Sequence, residues 1–249
     1  MQTDSNTPSV EVSISSTSKV LRLLIPRSQR RKFFIQFTLM TVVGWVVGGI
    51  ASIAIERTLL QALPPIILQQ QPIWYWLIKL FSSIVFAVIF AADQALILRR
   101  YLSARLWLLA TSAGWLIANS VSGGWINYIS SIATSLNKTL SFEEMVFFGV
   151  LSTISYIGSG IWLGFLQWLV LRQNTAGAWW WSFLPSISYF CISVLVWLLP
   201  LVQNLIPEVN RTQALYLSGQ GLTAVILGVI PAIGFCTLKS YSRRATTQR

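Results

Sequence analysis

Few residues in this chain could do chemistry, and most of them stand inside apolar runs. Asp93 lies within Ile73–Leu98, about two helical turns from the end of that run, beside Gln94 and on one helical face with Lys79, Ser82 and Ser83. An acid at that depth is costly in lipid and by default marks a proton or cation site. The structural alternative is an ion pair with Arg100, about two turns further along the same face, or with Arg172. Lys79 cannot be the partner, because it lies about 21 Å away along the helix axis. It can instead reach water at the other end of the run. In a second run, Gly149, Thr153, Tyr156, Gly160, Gly164 and Gln167 fall within an arc of about 80° on an α-helix, opposite Ile154, Ile161, Phe165 and Leu169. That polar, small-residue face suits either close helix packing or a substrate path. Gln36, Gln94 and Gln167 all fall near the inner ends of their runs. They would make either a polar gate or a layer of interhelical hydrogen bonds, each worth about 1 kcal/mol or less.

Other chemistries are excluded by what the sequence lacks. There is no His, which removes His-based triads, imidazole ligation and His proton relays. Cys191 and Cys236 differ in depth, so no disulfide is expected between them. Gly158-Ser-Gly160 has a protease-like look, but without a base Ser159 reads as a small packing residue. A paired-aspartate intramembrane site fails because Asp93 is the one Asp inside an apolar run. No nucleotide-binding or kinase signature is present. No catalytic residue, metal ligand or cofactor is therefore expected.

The elements that must position these residues are membrane helices. Apolar residues make up 54% of the 249-residue chain and charged residues only 10%, with mean hydropathy +0.64. Soluble domains carry roughly 25% charged residues. Six runs approach the length of about 20 residues that crosses a bilayer: Phe33–Ile55, Ile73–Leu98, Leu106–Val121, Val146–Leu171, Trp179–Leu201 and Tyr216–Leu238. The net charge of +11 does not form one patch, as a nucleic-acid surface would need. Cations instead collect before the first run (Lys19, Arg22, Arg27, Arg30, Arg31, Lys32), after the second (Arg99, Arg100, Arg105), after the fourth (Arg172) and after the sixth (Lys239, Arg243, Arg244, Arg249). The intervening loops hold only Arg57, Lys138 and Arg211. Cytoplasmic segments retain Lys and Arg, so six spans with both termini cytoplasmic are expected, in a cytoplasmic or plasma membrane. Trp74, Tyr75, Trp76, Trp125, Trp197 and Tyr216 would anchor the outer interface, and Trp107, Trp179, Trp180 and Trp181 the inner one.

The chain thus divides into a polar then basic segment (1–32), a six-span domain (33–238) and a basic tail (239–249). Residues 1–18 read as disordered, with no signal peptide. Residues 19–32 mix cations with Val20, Leu21, Leu23, Leu24 and Ile25, with Pro26 interrupting any helix, and should lie on anionic lipids of the inner leaflet. Outside, Pro64-Pro65 and three consecutive Gln give an irregular loop. Trp125, Ile126, Ile129, Ile132, Ala133 and Leu136 suggest a short separate amphipathic helix. Ser141 and Glu144 match a capping box, and Asn137-Lys-Thr139 and Asn210-Arg-Thr212 match glycosylation sequons.

An internal repeat ties the spans together. Gln94-Ala-Leu-Ile-Leu-Arg99 recurs as Gln167-Trp-Leu-Val-Leu-Arg172, and the same shift carries Ala87 onto Gly160, Ala91 onto Gly164 and Trp107 onto Trp180. Gly160-xxx-Gly164, Ala87-xxx-Ala91 and Gly44-xxx-Gly48 would each let a neighbouring helix approach closely. The repeated element, with its upstream small residues and downstream Ala176-Gly-Ala-Trp-Trp180, resembles a group of uncharacterised bacterial membrane proteins, many of them cyanobacterial. The resemblance covers Gly158–Trp181 well, Ala87–Trp107 less well and Gly219–Lys239 distantly. It implies membrane residence and no known activity. The expected fold is an all-α integral membrane six-helix bundle with a parallel pseudo-repeat of hairpins, spans two-three and four-five. The expected function is that of a non-enzymatic membrane scaffold or a partner-binding protein, the partner being another membrane protein. The alternative is a small transporter or channel lined by Asp93, Gln94, Gln167 and the Gly149–Gln167 face, with Pro185 and Pro231 breaking helices.

Overall fold

Backbone amides in lipid find no water, so an apolar run of this length must satisfy them within itself, as a helix does. The computed structural model describes residues 21–64, 72–135, 141–199, 201, 208 and 211–241. It contains six long helices: α1 (Arg30–Ala62), α2 (Pro72–Leu98), α3 (Ala104–Ser135), α4 (Phe142–Leu171), α5 (Leu184–Leu198) and α6 (Arg211–Thr237). Five of them are long and apolar enough to cross a membrane; α3 is the exception. Large apolar side chains on their outer faces, such as Ile50 (65% exposed) and Phe147 (63%), lack protein neighbours, which suits lipid as the surrounding solvent. The chain is a multi-pass membrane protein. Each helix packs against its neighbours in sequence, and α6 closes the circuit by packing against α1.

Several local expectations change. The residues read as a separate amphipathic helix from Trp125 continue α3 without a break to Ser135. Nothing in that stretch can stop a helix, since it holds no Pro and its Gly123-Gly124 pair is tolerated. Pro185 does not break a helix but starts one, in the first turn of α5, where its missing N–H is harmless. Pro231 sits inside α6, which runs on to Thr237. The capping box forms: Glu144 N donates to Ser141 Oγ (3.3 Å) and Ser141 N donates to Glu144 Oε2 (2.8 Å). Residues 1–18, the two sequon asparagines and most of the basic tail lie outside the described residues.

A small sheet appears that no periodicity announced. β1 (Leu21–Leu23) and β2 (Thr175–Ala176) flank β3 (Lys239–Tyr241), both antiparallel to it. It joins the segment before α1, the α4–α5 connection and the segment after α6 at one end of the helices. Of the segment expected to lie on anionic lipids (19–32), residues 21–32 are described, and Arg22, Arg27, Arg31 and Lys32 among them are exposed. Leu24 and Ile25 point into the protein rather than into a leaflet, with Ile25 0% exposed. Leu24 N also donates to the Leu238 carbonyl (2.9 Å). Pro26 ends the strand, and a short 3-10 turn leads into α1.

Candidate functional site

The densest core lies at the sheet end. There Phe33, Phe37, Leu98, Trp107, Leu171, Trp181 and Phe235 pack with Leu24 and Ile25. The Phe235 ring lies 4.5 Å from that of Trp181 and 5.3 Å from that of Trp107. Trp107 and Trp181 are 1% and 0% exposed. Both were expected among the interfacial anchors. Of the three consecutive tryptophans only Trp179 (66% exposed) stands outward in that way. A buried indole N–H usually finds an acceptor, and here the acceptor is glutamine. Trp107 Nε1 donates to Gln94 Oε1 (3.4 Å), and Trp181 Nε1 donates to Gln167 Oε1 (3.0 Å). The Gln167 amide in turn donates to Thr111 Oγ1 on α3 (3.2 Å).

This geometry corrects one detail of the repeat. Trp181, not Trp180, takes the place of Trp107 as the glutamine's partner: it stands 14 residues after Gln167, where Trp107 stands 13 after Gln94. Gln94 and Gln167 are both buried but bond within and between neighbouring hairpins, not to each other. Gln36, expected in the same layer, is exposed on α1.

The small-residue faces are occupied by backbone of this chain. A Cβ on Gly160 would lie 2.8 Å from Ser186 N, and one on Gly164 would run into the Ser182 carbonyl. Ala87 and Ala91 are 0% exposed, and Ser112 Oγ on α3 donates to the Ala87 carbonyl (3.2 Å). A third contact of this kind joins the first and last helices. A Cβ on Gly228 would lie 3.0 Å from Thr38 Cα, and Phe235 meets Phe33 at 5.9 Å. Towards the opposite end the α4 face opens. A Cβ on Gly149 would meet nothing within 4 Å, and α4 and α5 leave between them a cleft of about 390 Å³ lined mainly by apolar side chains such as Val150, Ile154, Phe190 and Trp197, with the Thr153 and Ser193 hydroxyls turned to their own backbone.

Asp93 is half-buried on α2 against α1, where its carboxylate lies over Gly44; a Cβ there would come within 2.7 Å of Oδ2. Gly48, one turn on, accommodates Phe86. The same seam continues to Ser52 and Ser82, whose hydroxyls are 3.0 Å apart, with Ser82 also donating to Glu56 (3.4 Å). The expected ion pairs do not form. Arg100 is exposed in the α2–α3 turn, Arg172 lies over the Trp168 ring (5.4 Å), and Asp93 has no ion-pair partner among the described residues. Lys79 is exposed and lies over the Tyr75 ring (4.8 Å). Cys191 and Cys236 are free thiols.

The structure therefore holds two distinct polar loci. The Gln–Trp–Thr cluster has no titratable group, and its hydrogen bonds fix the helices relative to one another. The Asp93–Gly44 seam holds one carboxylate, which can carry a charge or a proton. Among the described residues no group of three His, Cys, Asp or Glu could hold a metal ion. Compared with known proteins, the chain matches no family model, no curated protein and no solved structure.

Proposed function

We propose that this protein is a non-enzymatic membrane scaffold that binds a membrane-protein partner, built from corresponding helical hairpins and seated in a bacterial cytoplasmic membrane with both chain ends inside. The observation that carries the reading is the mutual satisfaction of Gln94, Gln167, Trp107, Trp181 and Thr111. Groups that would have to line a transport route instead hold helices together. The open cleft between α4 and α5 offers a partner helix a mainly apolar seat of 390 Å³. The orientation rests on the cations near the sheet end, Arg22, Arg99, Arg100, Arg172 and Lys239.

The correspondence extends past the two hairpins evident in the sequence. Gly160 meets Ser186 in the α4–α5 hairpin, Ala87 meets Ser112 in α2–α3, and Gly228 meets Thr38 between α6 and α1. In each pair a large ring also stands five residues before the second contact residue: Trp107 in α3, Phe33 in α1 and Trp181 in the 3-10 segment leading into α5. We read α6 and α1 as a third hairpin of the same design, divided between the two ends of the chain. To test the scaffold reading, a photo-crosslinking residue would be placed at Val150 or Trp197 in cells. A discrete protein adduct in stoichiometric yield is expected. Adducts with lipid alone would overturn it.

One observation favours the transporter alternative: Asp93 is a carboxylate within a span with no ion-pair partner among the described residues. Proton or cation flux in proteoliposomes that Asp93→Asn abolishes would establish that reading over the first.

A further inference from the structure

On the sheet side of α1, a pocket of about 420 Å³ lies between the first turns of α1 and the α2–α3 turn. Its lining is cationic. Lys32 comes from α1, and Arg99 and Arg100 from the turn after α2, with the amides Gln29 and Gln36 beside them. The three cations are exposed, and none has an ion-pair partner among the described residues. The wall is pre-formed: Tyr101 Oη donates to Gln29 Oε1 (3.2 Å), and the Tyr101 ring stands edge-on to buried Phe33 (5.7 Å). With its oxygen engaged, Gln29 has its amide N–H groups left to donate. Beside the cations the lining is apolar at Phe33, Leu96 and Ile97, and exposed Leu39 follows lining residue Gln36 by three positions, on the same side of α1.

A site with charge beside hydrocarbon matches one kind of ligand. Arg presents a planar fork of N–H donors suited to phosphate oxygens, and Lys adds a point charge. The volume lies within the range of small-molecule sites. On the other flank of α1, Arg30 Nε is buried without an acceptor, so the same band of the protein calls for an anion a second time. We propose that this pocket binds the phosphate headgroup of an anionic phospholipid from the adjoining leaflet, with its acyl chains along Leu96 and Leu39. The site differs from the basic strand before α1, and its phosphate chemistry is shared by free inorganic phosphate.

Native mass spectrometry of the full-length protein in mild detergent separates these sources. Phosphatidylglycerol and phosphatidylcholine with matched chains are added in turn to the wild type, to Lys32→Gln/Arg99→Gln/Arg100→Gln, and to Arg57→Gln, a control at the far end of α1. Wild type and control should retain phosphatidylglycerol in preference. The triple variant should bind it roughly 100-fold more weakly, at about fivefold per cation lost. If the triple variant fails to fold, Arg100→Gln alone should show the fivefold loss. Equal binding by all three proteins overturns the assignment, as does indifference to headgroup. Displacement of the lipid by millimolar inorganic phosphate would reassign the pocket to a free anion.

Discussion

The hydrogen bond between Trp181 and Gln167 is the most exposed claim in this structure. Replacing Gln167 with Leu keeps the side chain's bulk but removes the acceptor of an indole N–H that no solvent reaches. An orphaned buried donor costs about 1–3 kcal/mol. The second lost bond, to Thr111, costs little, because a helical threonine hydroxyl can turn to its own backbone. Interhelical hydrogen bonds in bilayers average well below their nominal strength, so the expected destabilisation is about 2 kcal/mol. For a chain of this size that lowers Tm by roughly 4–8 °C. The assay is thermal unfolding in detergent, followed by a fluorogenic thiol reagent that reads the exposure of Cys191 and Cys236, both half-buried and free. A double-mutant cycle with Trp181→Phe isolates the bond. Once the N–H is gone, losing its acceptor should matter little, giving a coupling of about 1–2 kcal/mol. The equivalent cycle at Gln94 and Trp107, where the bond is longer at 3.4 Å, should couple more weakly. Additivity at Gln167–Trp181 within about 0.5 kcal/mol would refute the reasoning.

Other perturbations separate packing from charge. Gly164→Ala drives a methyl into the Ser182 backbone and should cost about 1–3 kcal/mol, whereas Gly44→Ala meets the Asp93 side chain, with no backbone among its nearest contacts, and should cost less than that; equal melting temperatures would contradict the difference. Asp93→Asn should leave membrane abundance and melting unchanged, and Arg100→Gln and Arg172→Gln should be equally silent; a shared drop in abundance would restore the ion pair that the structure lacks. Ser141→Ala removes the cap of α4 and should cost about 1 kcal/mol, read as faster hydrogen exchange in its first turn.

Much of the architecture could be read from residue order, because the bilayer forces long apolar runs into helices and the Gln-x-Leu-x-Leu-Arg element recurs. The capping box was equally legible, since its two residues lie within one turn of each other. What escaped depends on partners distant in sequence. β1 and β2 are strands only because β3 lies between them, and two or three residues carry no periodicity of their own. The burial of Trp107 and Trp181 could not be told from interfacial anchoring, because the same amphipathic ring serves both. Only the placement of Gln94 and Gln167 one helix back distinguishes them. The shift from Trp180 to Trp181 was hidden because the connections differ in form: Trp107 lies within α3, whereas Trp181 lies in a 3-10 segment (Ala178–Phe183) ahead of α5. The α6–α1 pairing was hidden because its halves stand at opposite ends of the chain, with Phe235 where the other hairpins have glutamine.

That last pairing has a consequence for synthesis. A membrane protein is threaded into the bilayer from its N-terminal side, so α1 arrives first and the helix that seats on Thr38 arrives last. Throughout translation, the groove that receives Gly228 and the ring of Phe235 stays open to lipid, and β1 waits beside it for a strand not yet made. Closure of the helix circuit is therefore a single late event. Until it happens every earlier contact belongs to an open arc, which a neighbouring nascent chain could enter in place of α6.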